Sequence, residues 1–268
     1  SKKHLMGAYH GGWSLGGFAG AGVLLVLLKI LSLPVNQSIW GLLIVLFIAM
    51  VVVSQFMLTF GSDPNAKVTK KSKSPLSFHP IALIFGLLSF VSYLVEGAVG
   101  DWSALYLFED KGIVIEEAVM GVMLFNGTMC IGRLLGNRLG KHLTSKQVVV
   151  GGYLLGSIAM GLIVFLPGHA SMYTYLLLGI SLAMIVPNLF SAMGEQNVIP
   201  MTQAVATSTM LGYMGILMGP ALIGFIAHGT SLTVAFIVLT ILLVVSAGIG
   251  KYAYHLMSKD CGLSEEQI

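Results

Sequence analysis

The chain is read as an all-α membrane protein, a polytopic bundle of eight transmembrane helices. Three observations carry this. Hydrophobic residues make up 56% of the 268 residues and charged residues only 9%, against about 25% charged in ordinary soluble domains. The mean hydropathy is +0.90. Eight long apolar segments can be drawn, at about 5–33, 38–60, 79–108, 117–139, 147–167, 171–194, 202–227 and 231–256, each near or above the roughly 20 residues that cross a hydrocarbon core.

The first segment is glycine-rich and polar at its start, unlike the short apolar region of a secretory signal. It carries Gly12, Gly16 and Gly20 at four-residue spacing. The seventh carries Gly215, Gly219 with Pro220, and Gly224. Small residues at this spacing let helices approach closely in lipid, so Gly215, Gly219 and Pro220 are expected to pack a helix pair. The two stripes lie about 203 residues apart, the length of about six spans with their loops, which suggests a repeat of six plus six. On that repeat four further spans, roughly 130 residues, would precede Ser1. His10 sits one or two turns inside the first span, whereas the other six histidines fall at span ends or in loops.

The second segment is almost featureless. After it comes the longest polar stretch, from Gly61 through Lys67, Lys70, Lys71 and Lys73 to Pro75. Six spans follow. The expected organisation is 1–60 as two helices of one half, 61–78 as a central loop, 79–257 as a complete six-helix half and 258–268 as a tail.

The third segment holds an acid, Glu96, inside a membrane-length helix. A charge at such a depth costs roughly 2.5–3.5 kcal/mol on insertion scales. Ser89, Ser92, Glu96, Gly100 and Ser103 share one helical face. The stripe reads as one wall of a polar path, and Glu96 as its proton-linked or cation-recognising acid; a hydrogen-bonded carboxyl that only packs is the alternative. Asp101 is rotated by about 140° from Glu96 and lies nearer the far interface beside Trp102, where an external cap or gate contact suits it.

In the fourth segment Asn126 and Arg133 share a face. Asn126 is the deeper cavity candidate. Arg133 lies about two turns from the end, placed to snorkel or to pair across a domain interface, and by the rises of the two helices Glu96 stands well above it, so that the pair is not expected. The sixth segment repeats Thr174, Ser181, Asn188 and Glu195 every seven residues, with Pro187 beside Asn188. A bend is expected there, with Asn188 either a substrate contact or an interhelical hydrogen bond. In the seventh, Gln203, Ser208 and Tyr213 share no clean face, and packing is the leading reading. Of the prolines, only Pro187 and Pro220 fall inside spans.

Loop charge sets orientation. With an even number of spans, one side collects Lys2, Lys3, Lys67, Lys70, Lys71, Lys73, Arg138, Lys141, Lys146, Lys251 and Lys259, while the opposite connections offer Lys111 alone. The basic side is cytoplasmic by the positive-inside rule, which gives an inner-membrane, multi-pass protein with a cytoplasmic C-terminus. The net charge of +3 is scattered over short loops, so nucleic acid is no expected partner. Cys130 and Cys261 suggest neither a disulfide nor a metal site.

Two motifs carry a family resemblance. Glu96-Gly97-x-x-x-Asp101-Trp102-Ser103-x-x-Tyr106-Leu107 resembles the seventh helix of YbjJ-like bacterial members of the major facilitator superfamily. Gly136-Asn137-Arg138-Leu139-Gly140-Lys141 resembles that superfamily's cytoplasmic D-R-x-G-R motif, with Asn137 in place of the acid. The resemblance implies the C-terminal two thirds of a transporter, helices five to twelve of a twelve-helix fold, with Asn137, Arg138, Gly140 and Lys141 as a cytoplasmic gating motif. It implies a secondary active transporter of a small solute (sugar, metabolite or drug) working by alternating access, with proton coupling as an option and a monomer when full length. Neither a cofactor nor a catalytic residue is expected. The alternative is a polytopic membrane enzyme or a non-transporting scaffold, for which the spans show no clustered acids or Ser/His pair. The substrate–proton pathway is assigned to Glu96, Asp101, Ser92, Ser103, Asn126, Asn188 and His10.

Overall fold

The computed structural model describes residues 3–56, 76–139 and 143–261, with the side chains of 3–11, 13, 137–139 and 261 outside that description. The described residues form helices joined by short turns. In order they are α1 (Lys3–Leu25), continued by a π-helical turn at Val26–Ile30, α2 (Val35–Ser54), α3 (Pro80–Glu109), α4 (Ile115–Leu139), α5 (Ser145–Phe165), α6 (Gly168–Tyr173), α7 (Tyr175–Leu182), α8 (Ile185–Glu195), α9 (Met201–Gly229) and α10 (Leu232–Cys261). Seven helical stretches are long and apolar enough to cross a membrane, with α6–α8 together making one of them. The expected first span is apolar only over Ser14–Ile30, which is shorter; Lys3, His4, His10 and the glycines dilute its start.

Local chemistry sets the helix starts. α3 begins with Pro80 after His79, whose Nδ1 accepts from the Ile81 amide at 3.4 Å. Proline at this position forfeits only an amide that the helix could not use. α5 opens on a capping box in which Thr144 and Gln147 exchange side-chain and backbone bonds. α4 carries Glu116 and Glu117 in its first turn, at the positive end of the helix dipole.

Packing is densest where side chains are smallest. α3 and α9 are in the most extensive contact, followed by α1 with α4 and α10 with α5. Lipid tails are as apolar as leucine, so close van der Waals contact must hold such helices together. Gly215 and Gly219 of α9 lie on the backbone of α3: a Cβ at Gly219 would come within 2.7 Å of the Leu94 carbonyl oxygen, and one at Gly215 would overlap the Phe90 carbonyl. Trp102 Nε1 of α3 donates to the Pro220 carbonyl at 2.9 Å. The stripe in α1 behaves differently. A Cβ at Gly12, Gly16 or Gly20 meets nothing within 4 Å, and α1 instead touches α4 where Gly17 abuts Asn126 and Gly127 abuts Phe18. α2 presents all its residues except Ser38 and Leu42 as exposed.

The sixth span is broken, as its proline suggests. α7 stops at Leu182 and α8 starts at Ile185, two residues before Pro187. A second interruption at Thr174 separates α6 from α7. The seven-residue row Thr174, Ser181, Asn188 and Glu195 is therefore not one continuous face, because the chain re-aims at each break.

A buried arginine–carboxylate centre between four helices

Glu96 and Arg133 form an ion pair, with Arg133 Nη2 at 2.8 Å from Glu96 Oε1. The Arg133 side chain is 0% exposed and that of Glu96 is 7% exposed. This corrects the sequence-based expectation that Arg133 lies too low to meet Glu96; fully buried, Arg133 does not snorkel, which was one of its two expected roles. Backbone rises alone put the two residues at different depths. Side chains tilt toward the N-terminus of their own helix. α3 and α4 run in opposite directions, so the long Arg133 and Glu96 side chains lean toward one another and close the gap.

The other donors of Arg133 are also engaged. Nη1 donates to Ser14 Oγ of α1 at 2.6 Å, and Nε donates to the Ala183 carbonyl at 3.3 Å. That carbonyl is left over by the sequence itself. Ala183 lies four residues before Pro187, the residue whose missing amide would otherwise bond it. The break between α7 and α8 thus supplies an acceptor to the guanidinium, in the way that membrane bundles re-satisfy backbone near proline. Close approach of α4 to this break depends on Gly132, where a Cβ would lie 2.6 Å from Ala183 Cβ, and on Gly136, whose Cβ would overlap Met184 Sδ. One guanidinium therefore ties α1, α3, α4 and the α7–α8 break together.

The remaining candidates are dispersed. Ser92 Oγ is bonded to Tyr153 Oη of α5 at 2.8 Å, and Tyr153 also donates to the Leu88 carbonyl at 2.7 Å. Ser89 bonds its own helix at the Phe85 carbonyl. Ser89, Ser92 and Ser103 of the α3 stripe are thus buried, while Gly100 on the same stripe is exposed. Asn126 of α4 returns to its own helix at the Val122 carbonyl and sits against Gly17. Asn188 accepts from Ser145 Oγ at 3.2 Å and donates to the Met184 carbonyl; Ser145 in turn bonds Tyr254. It joins α8 to α5 and, through Ser145, to α10, and its own acceptor, the Met184 carbonyl, is next to the Ala183 carbonyl that Arg133 holds. Asp101 is exposed. Ser103 is fully buried. His10 has its backbone in α1, but its side chain lies outside the described residues, as do the side chains of Asn137 and Arg138 and the whole of Gly140 and Lys141.

A second polar group rims the Lys111 end. Lys29 Nζ and His169 Nε2 hold the two oxygens of Glu117 at 2.8 and 3.0 Å. Lys29 is therefore a second lysine at that end, which the charge count by connections left out because it was counted within a span. Lys111 Nζ donates to the Val164 carbonyl at 2.6 Å and lies 5.2 Å from the centre of the Tyr106 ring. Burial pulls the Lys111 ammonium below the usual lysine range, and Asp110 acts against that. Beside it a cleft of about 640 Å³ is lined by Trp102, Glu109, Asp110, His228 and neighbours.

Residue types and spacing had not singled out Ser14, the Ala183 carbonyl or Tyr153. The Pro187 offset to Ala183 is a signal that a closer reading of the sequence contains. Ser14 has none, because its role depends on how α1 lies on α4.

No family model matches the chain. An uncharacterised MFS-type transporter of Yersinia pestis is 36% identical over 252 residues, which is 92% of this chain and 63% of the relative. The membrane protein MosC of Rhizobium meliloti is 31% identical over 56% of this chain and 37% of its own length. An uncharacterised transporter of Sinorhizobium fredii is 28% identical over 58% of this chain and 41% of its own length. The chain therefore spans less than two thirds of the length of each of these relatives.

Proposed function

Because the chain is related over nearly its whole length to an MFS-type transporter, we propose that it works as a secondary active transporter, moving a small solute by alternating access. Residues 1–60 belong to one six-helix half and 79–257 form the other. The observation that carries the reading is the Arg133 centre, because one fully buried charge holds Glu96 of α3 and Ser14 of α1 at once. Arg133 thus bonds Ser14 across the two halves and pairs with Glu96 within its own half.

The pair also narrows the chemistry. Glu96 is neutralised by Arg133, so it gives no motive for recognising a cationic solute. Proton coupling keeps one. Protonating Glu96 leaves Arg133 buried without its counter-charge, and breaking a buried pair costs about 3–5 kcal/mol. That is roughly a hundredfold to a few thousandfold in a two-state equilibrium, close to the ~5.5 kcal/mol that reverses a 1:99 population. Arg133 on α4 is the charged group that meets Glu96.

Glu96→Gln imitates the protonated acid in size and charge. In proteoliposomes of the full-length protein it is expected to abolish uptake driven by a pH gradient while retaining solute exchange better than Glu96→Ala. Uptake in Glu96→Gln that keeps its dependence on pH overturns the coupling.

The lysine-rich connections support an inner-membrane location with the C-terminus in the cytoplasm. Glu109 and Lys259 are both exposed, at opposite ends of the bundle. On a background lacking Cys261, a cysteine at Glu109 is expected to react with an impermeant thiol reagent in cells whose inner membrane is intact, and one at Lys259 to react only after permeabilisation. The reverse pattern inverts the orientation.

A further inference from the structure

The helices α1 and α4 are tied at two places. Arg133 meets Ser14 in the buried centre, and Lys29 meets Glu117 at the Lys111 end. Ser14 and Lys29 are 15 residues apart along α1 and its π-helical turn, and Glu117 and Arg133 are 16 apart on α4. These spacings are about 22 and 24 Å along two antiparallel axes. Between the ties, Gly17 abuts Asn126, Gly127 abuts Phe18, and a Cβ at Gly22 would touch Met123 Sδ. The two helices therefore lie alongside each other for the whole distance. α1 reaches the rest of the described residues chiefly through this contact, with a small one to α8.

The two ties differ in kind. The Arg133 side chain is 0% exposed, whereas those of Lys29 and Glu117 are 47% and 30% exposed. Separating a buried pair strands a charge away from water. Separating an exposed pair exchanges it for hydration, and such pairs are worth little. Glu117 also lies in the first turn of α4, where the helix dipole favours a carboxylate with or without a cation beside it. Its second oxygen meets His169 Nε2 of α6 at 3.0 Å, so the carboxylate stays held when Lys29 leaves. The tie at the Lys111 end can open and close at small cost, and the buried one cannot.

Lys29 is presented by an irregular piece of backbone. It lies in the π-helical turn Val26–Ile30, where the Leu31 amide donates to the Val26 carbonyl five residues back at 3.0 Å. Turns of this kind occur mostly singly and often at functional sites. Val26, Leu27, Leu28 and Ile30 around Lys29 are apolar. Just beyond the turn, Ser32 has φ 51°, a left-handed conformation that a serine keeps only where its surroundings enforce it.

We propose that Lys29, Glu117 and His169 form an outer latch between the two halves. The latch is closed in this structure and separates whenever the Lys111 end opens. Lys29 supplies the arm from one half, and His169 holds the Glu117 carboxylate from within the other. The proposal rests on the alternating-access reading given above and on its division of the chain at 61–78.

The test measures distances in the full-length protein in lipid nanodiscs, with spin labels on cysteines in an otherwise cysteine-free background. Labels at Gln37 and Glu109 report the outer end, and labels at Gln55 and Lys259 the inner end; all four residues are exposed. Lys29→Gln and Glu117→Gln are each expected to raise the population with a longer outer distance by about threefold or more, the effect of an exposed ion pair on a two-state balance. A matching population with a shorter inner distance rises with it. Lys29→Glu combined with Glu117→Lys restores opposite charges and is expected to return both populations toward those of the unaltered protein, which a packing role of the two side chains would not do. Two distances at each end, in proportions that neither Gln variant changes, overturn the latch alone, and so does a reversed pair that fails to restore the balance. One unchanged distance at both ends in every form overturns the alternation and the latch together.

Discussion

Gly215→Ala is expected to lower the unfolding temperature more than any other single-methyl addition along α9. A Cβ at this position would overlap the Phe90 carbonyl oxygen and lie 2.9 Å from the Phe90 carbonyl carbon and 3.0 Å from its Cα. These are backbone atoms of a helix that cannot rotate away as a flexible side chain can. The methyl must drive α3 and α9 apart along the most extensive contact in the fold. Overpacking of this kind costs about 1–3 kcal/mol, and more where backbone is the obstacle. The gain in helix propensity from glycine to alanine, about 1 kcal/mol, does not offset it. Gly248→Ala in α10 is the control, because its Cβ would meet nothing within 4 Å, and it is expected to be neutral or mildly stabilising. Thermal unfolding of both variants in detergent checks the contrast. Equal effects at the two positions would show that the α3–α9 approach is not set by Gly215.

Removing the guanidinium should have the second large effect. Arg133→Ala leaves Glu96 buried without its partner and removes the bonds to the Ala183 carbonyl and to Ser14 Oγ. Breaking a buried pair from one side costs about 3–5 kcal/mol, a large share of the 5–15 kcal/mol that holds a typical domain together. The double variant Arg133→Met with Glu96→Leu removes both charges and keeps volume. It is expected to recover most of the stability while remaining unable to couple uptake to a pH gradient. Stability in the double variant no better than in Arg133→Ala would place the loss in packing around the stem of the arginine, not in the unpaired carboxylate.

The helical bundle itself was legible in the chain because its signals are local. Length and hydropathy mark the spans whatever their neighbours are. Proline and histidine chemistry at Pro80 and His79 marks a start, and Pro187 marks the break in the sixth span, since a missing amide acts within one turn. Glycine spacing marked α9 as a close-packing helix. The same spacing in α1 meets nothing among the described residues. A stripe states what a helix permits, and only the neighbour decides whether it is used.

What joins across helices was decided by the tertiary structure. Whether Arg133 reaches Glu96 depends on the relative shift and direction of α3 and α4, and on long side chains leaning toward each other in an antiparallel pair. No periodicity along either helix encodes that shift. The same holds for Ser14, which becomes a ligand of the guanidinium through the way α1 lies on α4, and for the Ala183 carbonyl, which Pro187 frees but only α4 can claim. The sequence by itself marked the apolar segments, the break near Pro187 and the close-packing glycines of α9. The tertiary structure determined which polar groups meet, because a hydrogen bond or ion pair needs two groups within about 3 Å, and spacing along one chain segment fixes only one of them.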